Sequence, residues 1–177
     1  MSTSLAYMLL FAKYDFTLVD TTPFYLITNI LGILWLLRIF RGTPVKNSSL
    51  IARFGNGYLL LNVCLLLISS LGITVESVAL DTPIHYALAI SMTISHILIF
   101  LFPLFSFMEF VGSYAEELPV KLAIHLKKFS GICVILTVLS IGTFFLGHPA
   151  SGTMFTLAVV FELLLSFQFS KVELAFR

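Results

Sequence analysis

Five apolar runs, at about 22 to 41, 54 to 75, 83 to 108, 129 to 147 and 152 to 170, decide what this chain of 177 residues can fold into. A hydrocarbon layer about 30 Å thick is crossed by roughly 20 helical residues. Lipid offers no water to unpaired N–H and C=O groups, so each run has to satisfy its own backbone as a helix. The expectation is an all-α integral membrane protein, one bundle of about five transmembrane helices forming a single domain. Composition agrees: 59% of the residues are hydrophobic and 11% charged, where soluble domains carry about a quarter charged. Residues 4 to 19 are apolar but short and contain Lys13 and Asp15. They predict a short interfacial or re-entrant helix ahead of the first span, not a sixth crossing.

Charge sets the expected orientation. Arg38, Arg41, Lys46 and Arg53 flank the first connection, Lys121, Lys127 and Lys128 the third, and Lys171 and Arg177 the tail. The positive-inside rule assigns these to the cytoplasm, most naturally that of a bacterial inner membrane, and Asp15, Asp20, Glu76 and Asp81 to the other face. Five spans then give an N-out, C-in chain. A sequon at Asn47 to Ser49 falls on the cytoplasmic side, where it is not used. A net charge of +1 and the absence of a basic run interleaved with aromatics exclude nucleic acid as a partner. The N-terminus has no basic n-region before Lys13, which argues against a cleaved signal.

Local signals punctuate the runs. Thr22 before Pro23 and Thr82 before Pro83 pair a capping hydroxyl with proline at the first helical position. The segment "GHPASG" at 147 to 152 predicts a tight turn between the last two spans. Pro103 predicts a kink late in the third.

Ionisable residues inside these runs are the candidates for function, because charge at the bilayer centre costs about 2.5 to 3.5 kcal/mol on insertion scales. His96 and Glu162 lie halfway along the third and fifth runs, at similar depth. They are expected to face protein as an intramembrane polar pair, either a proton relay, with Ser91, Ser95 and Ser166 extending a polar file, or a clamp between helices. Asn29 and Asn62 each need a hydrogen-bond partner and read as packing contacts. Tyr25, Tyr58 and Tyr86, near span ends, read as an interfacial belt.

Ser130, Cys133, Thr137 and Ser140 recur at alternating three- and four-residue steps. They form a small-residue seam that lets a neighbouring helix approach closely, or, as the sharper alternative, line a pore. Cys64 and Cys133 both lie in apolar runs and suggest neither a disulfide nor a thiolate metal site. His85 and His148, near one surface, are a weak metal or haem pair, but His96 and His125 have no partners at their own levels to complete a di-haem set. No cofactor is expected.

The connection from Glu109 to Lys128 is acidic first (Glu109, Glu116, Glu117) and basic second (Lys121, Lys127, Lys128). It reads either as a docking surface for a soluble cytoplasmic protein or as a helix end anchored to anionic headgroups. Its "EELPVK" has the paired glutamates of CAAX-type intramembrane proteases, yet ends in Lys121 where that motif has Arg, and the companion histidine motifs are missing. With no HExxH, GxSxG, GxGxxG or phosphate loop either, the chain is not expected to be an enzyme. Two functional classes remain. One is a non-enzymatic membrane subunit that homo-oligomerises or anchors a partner in a larger membrane complex, bacterial immunity systems being one setting for proteins of this build. The other is a small channel or proton-coupled carrier working through His96 and Glu162.

Overall fold

Prolines or hydroxyls start several of the apolar runs as helices, and among the described residues a glycine ends two of them. The structure, a computed structural model, describes residues 2–12, 23–41, 50–75, 77–114, 118–147 and 149–175. Among these residues there are six helices and no strand: α1 (Thr3–Phe11), α2 (Pro23–Arg41), α3 (Leu50–Ser70), α4 (Pro83–Tyr114), α5 (Val120–Phe145) and α6 (Ser151–Ala175). Five of them, α2 to α6, are long and apolar enough to cross a membrane. Pro83 opens α4, and the Thr82 hydroxyl accepts from the His85 backbone N–H at 3.3 Å, as its position predicts. Thr22 lies outside the described residues. Gly147, at φ +65°, ends α5 in the left-handed region where the 147–152 turn is predicted.

Three differences from expectation have a local reason: two helix boundaries and the burial of α1. The second span stops at Ser70 rather than 75 because Gly72, at φ +72°, turns the chain out of the helix. A Thr74–Ser77 turn follows, with the Ser77 hydroxyl accepting from Thr74 N–H and the Thr74 hydroxyl from Ser77 N–H. The fourth span starts at Val120, not 129. Lysines do not interrupt a helix, and the Pro119 carbonyl already accepts from Leu122 and Ala123. The expected connection 109–128 is correspondingly short, because Glu109 belongs to α4 while Lys121, Lys127 and Lys128 belong to α5. Glu116 and Glu117 lie outside the described residues.

The third correction concerns α1. An interfacial helix keeps one face in water, but Thr3, Ser4, Ala6, Tyr7, Leu10 and Phe11 are all buried. The nine residues of α1, about 13 Å at 1.5 Å per residue, pack against α2, α6 and α4. The contact with α2 is close because Gly32 has no side chain: a Cβ there would stand 2.9 Å from the Ala6 carbonyl oxygen and from Leu10 Cγ. Edge-on aromatic contacts fix the other sides, with Tyr7 4.8 Å and Phe11 5.7 Å from Phe107, and Phe107 and Phe110 5.6 and 5.3 Å from Phe169. The helix is thus wedged into the end of the bundle where α4 and α6 finish. At that same end Glu109 of α4 caps α3, its carboxylate accepting from Leu50 N–H at 2.6 Å. A carboxylate at a helix N-terminus satisfies an orphan donor and meets the positive end of the dipole.

Candidate functional site: a buried polar core

Pro103 shapes the centre of the bundle. A proline has no N–H, so in α4 the Ile99 carbonyl, four residues earlier, loses its intrahelical donor. Helix α4 nevertheless runs through Pro103 without a break. The vacancy is filled from outside: the Tyr58 hydroxyl of α3 donates to the Ile99 carbonyl at 3.1 Å, and its ring stacks on Phe102 with centroids 4.3 Å apart. The Tyr58 oxygen in turn accepts from Asn29 of α2 at 2.7 Å. The same Asn29 amide donates to the Asn62 side-chain oxygen at 3.0 Å, and the Asn62 amide donates to the Tyr58 carbonyl at 2.8 Å. Three helices are therefore tied by one network whose donors and acceptors alternate without conflict.

Asn29 and Asn62, expected as packing contacts that each need a partner, partner each other, and Tyr25 and Tyr58 lie away from the expected interfacial belt. Tyr25 is 1% and Tyr58 5% exposed, so both belong to the core, and only Tyr86 of the three stands outside. A signal for this was present: Tyr25–Asn29 and Tyr58–Asn62 are both Tyr-x-x-x-Asn, one helical turn apart on adjacent spans.

Glu162 and His96 are both in the core, at 0% and 2% exposure. Each is held by a partner that spacing did not identify. Glu162 accepts from the Thr137 hydroxyl of α5 at 3.5 Å. Tyr25 of α2, one turn before Asn29, is buried in the same core as Glu162. Ser166, one turn beyond Glu162, is fully buried with a hydroxyl that finds no hydrogen-bond partner among the described residues, and the same is true of the Asn29 side-chain oxygen. His96 Nδ1 stands 2.7 Å from the Met92 carbonyl. A carbonyl only accepts, so Nδ1 carries the hydrogen and Nε2 is the exchangeable nitrogen.

The seam on α5 is buried throughout: Ser130, Cys133, Thr137 and Ser140 face inward, and Ala123 and Leu126 continue its spacing toward the helix start. It meets α6 within the subunit through Thr137, while the Ser130 hydroxyl bonds back to the Leu126 carbonyl at 2.8 Å. Ser95 likewise donates to its own helix at 2.8 Å, so its hydroxyl is engaged along α4 rather than across the bundle. Of the residues expected to dock a partner, Glu109 is engaged by α3, whereas Lys121, Lys127 and Lys128 are exposed on α5. His85 is half-buried near the start of α4, and His148 lies outside the described residues. Among the described residues no three His, Cys, Asp or Glu side chains gather as a metal ion requires.

Among the described residues the chain is all-helical, with five helices long and apolar enough to cross a membrane and a cluster of buried polar side chains between them, the build of a membrane protein by length and composition. The chain matches no protein-family model, no curated protein and no solved structure.

Proposed function

We propose that the chain is a small proton-coupled membrane carrier in which Glu162 binds the proton and His96 is the second exchangeable group. The observation that carries this reading is the fully buried carboxyl of Glu162, near the middle of α6 and bonded to Thr137. An ionisable group is expensive at that depth and is retained where it works. The buried Ser166 hydroxyl, one turn along α6, and the buried Tyr25 of α2 are the polar groups this reading assigns to the proton's path. The reading as a docking subunit draws less support, because the acidic half of its surface is partly consumed by the Glu109 cap on α3.

The exposed Arg38, Arg53, Lys121, Lys127, Lys128 and Lys171 all lie toward one end of the alternating helices, and we assign that end to the cytoplasm. Helix α1 packs toward the same end through Tyr7 against Phe107 and Phe110, and we propose that the start of the described chain shares the cytoplasmic side with the end of α6, against the N-out arrangement expected from five spans alone.

The test is a proteoliposome with an imposed pH gradient and an internal pH dye. The wild-type chain is expected to speed collapse of the gradient. Glu162→Gln keeps the shape and the bond from Thr137 but cannot titrate, and is expected to fold normally and lose most of that flux. A Gln variant as fast as wild type, or a wild type no faster than empty vesicles, refutes the proposal.

A further inference from the structure

One stripe of α5 has a composition that the proton site does not use. Lys121, His125, Lys128, Ile132, Ile135 and Leu139 follow one another at steps of four and three, and every one is exposed. Side chains so spaced lie in a single line along the outside of a helix. The line carries Lys121 and Lys128 with the His125 imidazole between them, and is aliphatic in its last three positions. At 1.5 Å per residue the part from Lys121 to Lys128 is about 10 Å long and the aliphatic part from Lys128 to Leu139 about 16 Å. The second length matches one leaflet of a hydrocarbon core about 30 Å thick. The whole of α5, 26 residues, is about 39 Å long and overruns that core, which leaves its first turns among the headgroups. The His125 ring stacks beside Phe129 at 6.5 Å, and Lys171 of the adjoining α6, at the same end, lies 5.2 Å over the Phe167 ring.

We infer that this stripe is a binding site for an anionic phospholipid, its phosphate held by Lys121, His125 and Lys128 and an acyl chain lying along Ile132, Ile135 and Leu139. Charge complementarity selects a phosphate, and the aliphatic continuation selects a phosphate that carries acyl chains over a soluble acidic protein. The inference is independent of the proton-carrier reading, since it involves neither Glu162 nor His96.

The sequence supplies its own control. Lys127 is as exposed as Lys128 and adjacent to it, but points about 100° away from the stripe. The delipidated protein is mixed with equimolar phosphatidylglycerol and phosphatidylcholine, and bound lipid is counted by native mass spectrometry. Wild type is expected to prefer phosphatidylglycerol, Lys128→Gln to lose about fivefold of that preference, and Lys127→Gln to change it by less than twofold. Equal losses in the two variants would mean diffuse attraction to a basic surface and overturn the site, as would a wild type without preference. Should Lys128→Gln fail to fold, phosphatidylglycerol bearing a photoreactive headgroup decides the matter on the wild-type chain: label in 120–129 supports the site, and label elsewhere overturns it.

Discussion

Tyr58 does two jobs with one oxygen, donating to the carbonyl that Pro103 strands and accepting from Asn29. Hydrogen bonds between membrane helices are worth on average about 0.6 and at most about 1.7 kcal/mol by double-mutant cycles. Tyr58→Phe is therefore expected to cost about 1 kcal/mol in reversible unfolding from detergent micelles. Pro103→Ala returns an N–H to Ile99, so in that background the cost of Tyr58→Phe should fall by about half. Strict additivity of the two substitutions would show that the hydroxyl does not serve the proline. Much at this scale was legible in the sequence. The depth of His96 and Glu162 followed from position in an apolar run, and their burial from the cost of charge in lipid. Partners were not legible, since Thr137 meets Glu162 across 25 positions and Asn29 meets Asn62 across 33, by helix packing that no local pattern records.

Between elements, the approach of α1 to α2 depends on one missing methyl group. Alanine at Gly32 meets a backbone oxygen at 2.9 Å, whereas alanine at Gly55 meets the end of the flexible Leu37 side chain at the same distance. Gly32→Ala is expected to cost about 1 to 3 kcal/mol, the usual range for overpacking, and Gly55→Ala under about 1. Thermal unfolding of both in one detergent checks the order, and equal losses would mean that α1 moves aside freely. The five long helices were readable because period and composition suffice for spans of this length. The burial of α1 was not, because its shortness and the nearby Lys13 and Asp15 suggest an interface, and only the glycine and phenylalanines of other helices make room for it. Helix α5 begins before its apolar run for a related reason: long cationic side chains reach the headgroups from a helix that has already started.

For the whole molecule, the proposed orientation puts both ends of the described chain on the cytoplasmic side. Single-cysteine variants at Ser2 and Lys171, in a Cys64→Ser, Cys133→Ser background, should both resist a membrane-impermeant thiol reagent added to intact cells and both react in inverted vesicles. Opposite sidedness would restore the N-out arrangement and detach α1 from the basic end. The bond from Tyr58 to Ile99 also has a consequence for how the protein is made. A helix with a stranded carbonyl is poorly suited to lie alone in lipid, and α4 is such a helix until α3 is beside it. Chains emerge from the ribosome N-terminal first, so the donor is already in the bilayer when Pro103 arrives. Transposing the coding order of these two helices, with every contact of the finished bundle preserved, should therefore slow insertion of α4 and leave it exposed to quality-control proteases during synthesis.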